Sequence, residues 1–358
     1  QVAGGTLAGG VPEDERLALG GPADFEVPLA LGLPGHGSLM IESEGELADA
    51  AAAAINNIVL RVLASIPAGR AAFTVIDPVG LGRNFAGLMH LADYEETLIN
   101  SRIWTQTTQI EERLAEINEH IEKVIQMYLR NEFETIVDYN EQAGIIAEKF
   151  HFLVIAGFPA AFSDTAAKRL LSIASSGGRC GVYLLIQRDL RQELPDRALA
   201  DELGRSCLVA RADAGGFVLG GMPAGGNRLR LDAPPDDELA TVLIQRIGKA
   251  GIDSNRVEVP FGQVAPAPDR RWSVETTERL EVAIGRTGAK KLQMLSLGKG
   301  TRQHVLVAGK TGSGKSTLFH VMITHLALWC PPEQVEFYPG DFTKGEEFKC
   351  YGPELTPH

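Results

Sequence analysis

Apolar residues along the chain follow two alternating patterns, short continuous runs and longer amphipathic stretches. The continuous runs at residues 72–77, 150–157 and 180–187 are typical of strands that are buried on both faces. Residues 105–131 carry apolar side chains at three- and four-residue steps, which predicts a helix about 40 Å long. We expect this helix to pack on the surface of a sheet, with a coiled-coil arm as the alternative. The alternation of strands and helices predicts an α/β fold with a mostly parallel sheet.

The same pattern divides the chain into four predicted segments. Residues 1–36 form an N-terminal extension with a short strand, and residues 37–232 form a first α/β module. A proline-containing linker with a small helix follows at residues 233–279. Residues 280–358 begin a second module, and we expect this module to be incomplete in the chain because few elements follow its first helix.

Composition and charge narrow the possible classes of function. The 358 residues are 44% apolar and 22% charged, which allows a sizeable core and excludes a disordered chain. The net charge is −12, of which −11 lies in residues 1–300. A broad basic face for duplex DNA is therefore not expected there, whereas a narrow basic loop that lines a pore is compatible with this charge.

Cysteine usage and hydropathy predict a cytoplasmic chain without a membrane segment. The four cysteines form no Cys-x-x-Cys pair and are expected to be reduced thiols. The most apolar stretch, Ala50–Ile66, is interrupted by Asn56, Asn57 and Arg61 and stays below the ~18–20 apolar residues of a membrane span. The chain begins without Met, as a piece of a longer protein would. Any membrane association is therefore expected to come from parts outside the chain. The eight histidines show no His-Glu-x-x-His or His-x-x-x-His spacing, so no histidine metal motif is predicted.

The strongest motif is a glycine loop between a predicted strand and a predicted helix. Residues 309–316 read GKTGSGKS and match the phosphate-loop pattern G-x-x-x-x-G-K-[ST] in full. A strand is predicted at Val305–Ala308 and a helix from Lys315 to about Trp329, which is the context that the motif requires. Glycines let backbone N–H groups converge on phosphates, and the helix N-terminus adds partial positive charge.

This loop predicts ATP and Mg²⁺ as ligands. We expect Lys315 to bridge the β- and γ-phosphates, the Ser316 hydroxyl to hold Mg²⁺, and Thr317 to lie near the α-phosphate. Hydrolysis also needs an acidic residue on a neighbouring strand, and the one candidate, Asp341, follows a Pro-Gly pair that disrupts the strand pattern. We therefore predict no catalytic residue in the chain and expect the acidic base to lie outside it. The predicted nucleotide-binding residues are Gly309, Lys310, Thr311, Gly312, Ser313, Gly314, Lys315, Ser316 and Thr317.

An internal repeat predicts that the first module is a copy of the same nucleotide-binding fold. With an offset of 264 residues, Pro67 aligns with Pro331 and Asp77 aligns with Asp341. In both places a predicted helix ends at the proline and a predicted strand ends at the aspartate. An unrelated α/β domain is the alternative interpretation of this match.

The aligned positions in the first module lack the chemistry of the phosphate loop. Lys315 aligns with Ala51 and Ser316 aligns with Ala52, so the phosphate-binding amine and the Mg²⁺-binding hydroxyl are both missing. The second acidic-strand position reads FLVIAGF, with an Ala-Gly pair where an Asp-Glu pair would be needed. We therefore expect that the first module does not hydrolyse ATP.

Taken together, these residues resemble the FtsK/SpoIIIE branch of the FtsK–HerA ATPases. The resemblance rests on HVLVAGKTGSGKST and VEFYPGDFTKGEEFKCY in the second module. In the first module it rests on FTVIDPVGLG, FLVIAGF and SIASSGGRCGVYLLIQR, where Gln187 and Arg188 match the family pattern. The resemblance implies tandem RecA-like P-loop modules, the first of them degenerate, in a chain that forms a homo-oligomeric ring or joins a larger complex.

The resemblance leaves three functions open. The first is an ATP-driven motor that translocates DNA, and the second is a protein-export or remodelling ATPase like those of type VII secretion. The third is a non-enzymatic scaffold in which the nucleotide only orders an interface. The acidic charge balance favours the second function over the first to some extent.

Overall fold

The computed structural model of the chain separates into two compact units. The first unit comprises Gln1–Glu141 and Ala147–Arg256, and the second comprises Gln142–Ile146 and Val257–His358. The residues that the structure describes are 2–6, 24–194, 197–213, 216–220, 228–254, 258–289, 291–298, 300, 302–310, 312–341 and 347–352.

A ten-stranded sheet forms the centre of the first unit. Its strands are β1 (Val2–Thr6), β2 (Asp24–Pro28), β3 (Leu39–Ser43), β4 (Ala71–Ile76), β5 (Ile103–Trp104), β6 (Phe150–Phe158), β7 (Val182–Asp189), β8 (Leu208–Asp213), β9 (Gly216–Leu219) and β10 (Arg228–Arg230). Six strands pair in parallel in the spatial order β8-β3-β7-β6-β4-β5. Antiparallel pairing adds β9, β10, β1 and β2 beyond β8. The predicted α/β fold with a mostly parallel sheet is confirmed in this unit.

Helices flank the sheet of the first unit, and most of them connect its parallel strands. They are α1 (Leu47–Ser65), α2 (Thr107–Lys123), α3 (Ile136–Ala143), α4 (Asp164–Ser176), α5 (Arg197–Ser206) and α6 (Asp237–Ser254). Ile55 and Val59 of α1 lie in one buried cluster with Ile41 of β3 and Phe73 of β4. By length and composition alone, α1 is one helix among the described residues that is long and apolar enough to cross a membrane. Half of this stretch is buried inside the unit, so its apolar side chains account for core packing.

The long helix predicted over residues 105–131 is α-helical only in its first part. It packs on the surface of the unit as predicted, because Ile110 and Leu114 are buried and the Asn118 amide donates to the Arg169 carbonyl of α4 over 3.1 Å. After Lys123 the helix continues as a π-helical segment, Val124–Leu129. A prediction based on three- and four-residue steps does not detect this change, because one wider turn still leaves an apolar side chain on the buried face.

The second unit is built from a hairpin and one long helix. Strands β11 (Arg279–Arg286) and β12 (Leu292–Gly298) pair antiparallel, and α7 spans Lys315–Trp329 as the sequence predicts. Val282, Leu326 and Cys330 form its small buried cluster.

The strands predicted next to the phosphate loop do not form among the described residues of this unit. Residues 304–310 and 335–341 have no ladder partner there, and Leu306 is 93% exposed. An apolar run favours a strand, but a strand also needs a neighbour that exchanges backbone hydrogen bonds with it. The predictions of strands at Val305–Ala308 and before Asp341 are therefore wrong for this structure.

Candidate nucleotide-binding site

The loop that precedes α7 has the backbone shape of a phosphate-binding cradle. Gly312 and Gly314 adopt φ angles of 81° and 86°, which side chains rarely allow. A Cβ on Gly309 would lie 2.5 Å from the Ser313 Oγ, so the loop closes tightly at this position as well. Gly314 is the N-cap of α7 and has no side chain that could accept from the first N–H groups of the helix. These N–H groups and the positive end of the helix therefore face the position of an anion.

Lys315 folds back over the loop. Its Nζ donates to the carbonyl oxygens of Gly309 and Lys310, each over 2.8 Å. These contacts hold an ammonium group beside the loop whose N–H donors would bind phosphate. Ser316 is half-buried in the first turn of α7, and Thr317 follows it at an exposed position.

The structure brings together eight of the nine predicted nucleotide-binding residues. Thr311 lies outside the described residues. The backbone donors, the Lys315 ammonium and the Ser316 hydroxyl together fit a polyphosphate with an associated Mg²⁺ ion.

The acidic candidate after the loop has a different local role. An Asp341 carboxylate oxygen accepts from the backbone N–H of Glu347 over 3.2 Å. Residues 342–346 lie outside the described residues. Since no described strand carries Asp341, the prediction that the acidic base lies elsewhere stays a prediction.

The corresponding corner of the first unit contains no phosphate loop. Strand β3 ends at Ser43 and α1 begins at Leu47, so only three residues connect them, whereas six residues lie between Ala308 and Lys315. Ala51 and Ala52 lie inside α1 and are both buried. The first unit therefore lacks the loop itself, in addition to the lysine and the hydroxyl that the aligned sequence lacks.

A buried ion cluster lies at the carboxyl ends of the parallel strands in this unit. Glu42 of β3 is only 3% exposed, and its two carboxylate oxygens accept from Arg188 of β7 over 2.5 Å and from Arg211 of β8 over 2.6 Å. Ligands of parallel α/β sheets bind at this edge of the sheet. The charges that this edge offers are therefore paired with one another. A charged residue inside the apolar run Leu39–Ser43 is the sequence signal that points to such a pair.

A hydrogen-bond chain continues along the same edge. The Gln187 side-chain amide donates to the Ser43 hydroxyl over 3.1 Å, and its oxygen accepts from the Gly157 N–H over 2.6 Å. Gly157 has a φ of 69°, and a Cβ there would lie 2.7 Å from Val79. An acidic side chain at Gly157 would therefore strain the backbone and require Val79 to move, and the prediction that this module does not hydrolyse ATP stays a prediction.

Two aspartates near this edge accept hydrogen bonds from residues of their own loops. Asp77 is fully buried and accepts from the Gly80 N–H over 2.9 Å and from the Asn84 side chain over 3.2 Å. Arg191 donates to both carboxylate oxygens of Asp189, and this hydrogen bonding lowers the pKa of Asp189 to about 2. Each carboxylate is thus held by hydrogen-bond donors of its own segment.

Part of the chain matches a known family. Residues 268–354 match the model of the FtsK/SpoIIIE family, so the resemblance is confirmed for this segment. An 85-residue stretch is 38% identical to the DNA translocase FtsK of Lactiplantibacillus plantarum. The stretch covers 23% of this chain and 10% of that protein.

Several solved structures of ATPases have weak overall similarity to the chain. ATPases 2 and 3 of EssC from Geobacillus thermodenitrificans have a TM-score of 0.46 and 13% identity, over 85% of this chain and 61% of that one. The cytoplasmic domain of the type VII secretion ATPase EccC from Thermomonospora curvata has a TM-score of 0.45 and 18% identity, and the match covers 86% of this chain and 38% of that one. The pCW3 conjugation coupling protein TcpA has a TM-score of 0.43 and 17% identity, and the match covers 63% of this chain and 67% of that one. Similarities of this size carry no argument about function.

Proposed function

Residues 268–354 are an FtsK/SpoIIIE segment, and on this premise we propose that the protein is an ATP-binding motor that translocates DNA. The observation that carries the proposal is the loop at residues 309–314, with its two left-handed glycines and the Lys315 ammonium folded over it. This combination serves the recognition of a nucleoside triphosphate.

ATP and Mg²⁺ would be held by the residues that form this loop and the first turn of α7. The backbone N–H groups and Lys315 bind the phosphates, and Ser316 offers its hydroxyl to Mg²⁺. The nucleotide supplies the phosphoanhydride bond whose hydrolysis drives movement. The acidic base for that step lies outside the described residues.

The two units have different roles in this proposal. Residues 37–232 are a degenerate module, since their β3–α1 corner has no phosphate loop and their strand edge is filled by the Glu42 ion cluster. Residues 280–358 begin a module that binds nucleotide and that is incomplete in this chain. Complete modules assemble as a ring in the cytoplasm, where the buried free cysteines remain reduced.

DNA is the substrate that the comparisons favour, because the matched stretch resembles a protein named as a DNA translocase. One observation favours an exported protein instead. The net charge is −12, and a chain of this charge offers little general attraction to a polyanion. Protein export is therefore the second candidate.

ATP hydrolysis by the intact protein tests the proposal. We expect duplex DNA to stimulate hydrolysis at least about tenfold and Lys315→Ala to abolish it. Stimulation by an unfolded polypeptide, with no response to DNA, would establish the export function instead. If Lys315→Ala leaves both cellular function and assembly intact, the nucleotide serves neither a motor nor a scaffold role, and the proposal is wrong.

A further inference from the structure

Three side chains with metal-binding chemistry meet in the first unit, at the end of the sheet where the parallel strands begin. His120 lies in the last turn of α2, His151 lies at the start of β6, and Glu148 lies three residues before His151. One ligand atom of each side chain lies within 4.8 Å of the others. The centroids of the two imidazole rings are 4.2 Å apart. This cluster lies at the opposite strand ends from Glu42, and the proposed motor function does not use it.

One histidine of the cluster has a buried nitrogen that is available to a ligand. The Nε2 atom of His120 is buried and has no hydrogen-bond partner among the described residues. An imidazole nitrogen without a proton offers its lone pair to a metal ion. Such an ion would also supply the partner that the buried His120 nitrogen lacks.

The third ligand is fixed by its neighbours. The Asn140 side chain accepts from the Glu148 N–H over 2.8 Å and donates to the Glu148 carbonyl over 3.0 Å. The Tyr128 side chain also lies near the Glu148 carboxylate. Backbone and side chain of Glu148 are thus both surrounded by groups that restrict its position, as is usual around metal ligands.

The local backbone and an adjacent cavity also suit a ligand site. Immediately after the turn that carries His120, the helix widens into the π-helical segment Val124–Leu129, a form that occurs frequently at functional sites. Both histidines line a cavity of about 280 Å³, which Glu116 also lines. The cavity has room for water molecules beside the cluster, so three protein ligands would leave a coordination position open.

We propose that His120, Glu148 and His151 bind one divalent transition-metal ion of the Zn²⁺ class, with a remaining coordination position open to the cavity. Two imidazole nitrogens and one carboxylate oxygen are a donor set that such ions accept and that Mg²⁺ and Ca²⁺, which prefer oxygen, do not favour. Lys123 and Lys149 lie near the two histidines and oppose a cation, whereas the charges of Glu148 and Glu116 favour one.

The binding of Zn²⁺ to the full chain tests the proposal. The protein is freed of metal with a chelator and then titrated with Zn²⁺ in competition with a chromophoric chelator. We expect one tight equivalent for each chain and an affinity at least about 100-fold lower in His151→Ala and in Glu148→Gln. His90→Ala is the matched control, because His90 is an exposed histidine of the same unit and should leave the affinity unchanged.

Co²⁺ in place of Zn²⁺ separates this site from the exposed thiol of Cys350. We expect visible d–d absorption without the sulfur-to-cobalt charge-transfer band that a cysteine ligand gives. The nearly isosteric Glu148→Gln keeps the test valid if a histidine variant does not fold. The proposal is overturned if the wild-type chain binds no Zn²⁺, if Glu148→Gln retains the full affinity, or if the cobalt spectrum shows a thiolate ligand.

Discussion

The corners that precede α1 and α7 differ in length and in the groups that they present. In the second unit, the six residues before Lys315 form an open loop whose N–H donors and ammonium group face an anion site. In the first unit, three residues connect β3 to α1, and the aligned Ala51 lies inside the helix with 0% exposure. The first unit thus lacks the loop as well as the lysine at the aligned position.

The charged groups near each corner show a second contrast. In the first unit, the single carboxylate of Glu42 pairs with the two guanidinium groups of Arg188 and Arg211 at the carboxyl ends of the strands. In the second unit, the described part of the loop retains an ammonium group whose partners are only backbone carbonyls. The first unit thus pairs the charged side chains at its strand ends with one another, whereas the second unit keeps a cation beside backbone donors.

The strongest test of the comparison places the missing lysine in the first unit. Ala51→Lys should lower the free energy of unfolding by about 4 kcal/mol, because a charged side chain enters a fully buried position without a partner. It should create no ATP binding, since the loop is absent. Urea unfolding and calorimetry with ATP measure the two effects.

The neighbouring Ala50→Lys is the control for this variant. Ala50 is exposed on the same helix, so its effect on the free energy of unfolding should stay within about 0.5 kcal/mol. An Ala51→Lys chain that is as stable as the wild type, or that binds ATP, would contradict the assignment of this corner.

The second test removes the lysine that the second unit retains. Lys315→Ala should weaken ATP binding about 100-fold, because a charged hydrogen bond to phosphate contributes roughly 3 kcal/mol. Lys291→Ala is the control, since it removes the same charge from an exposed position of the same unit that lies outside the loop. We expect a change of less than about threefold for this control in the same calorimetric titration. Equal effects of the two variants would show that the loop attracts ATP by general charge alone.

The third test breaks the ion cluster of the first unit. Glu42→Gln should lower the free energy of unfolding by about 2 kcal/mol, less than for a fully buried pair, because Arg211 is largely exposed and can be solvated. Glu44→Gln is the exposed control and should change it by less than about 0.5 kcal/mol. Thermal or urea unfolding measures both effects. If Glu42→Gln leaves the free energy of unfolding unchanged, the cluster does not stabilise this edge of the sheet.

The sequence was sufficient for features that depend on local patterns. The buried strands β4, β6 and β7 appear as continuous apolar runs, and their predicted bounds agree with the structure to within about two residues. Helix α7 begins at Lys315, as the glycine loop predicts, because the loop residues have no helical alternative once Gly312 and Gly314 take left-handed angles.

Features that depend on distant residues could not be predicted in the same way. The partners of Glu42 lie 146 and 169 residues away along the chain, so no local spacing reveals them. His120 and His151 come together only because α2 packs beside the start of β6, and the spacing between them matches no short metal motif. No strand forms at Val305–Ala308 for the same reason. A strand needs a neighbour to pair with, and an apolar run alone does not supply one.

The Lys315 ammonium donates two hydrogen bonds to the loop, and these bonds change how its contribution to the affinity for ATP is interpreted. A phosphate that approaches the loop must replace the carbonyl oxygens of Gly309 and Lys310 as acceptors, so the lysine exchanges partners when the nucleotide arrives. The measured gain is the difference between two hydrogen-bonded states. The side chain therefore also braces the empty loop, and shortening it relaxes the receptor as well as removing a charge.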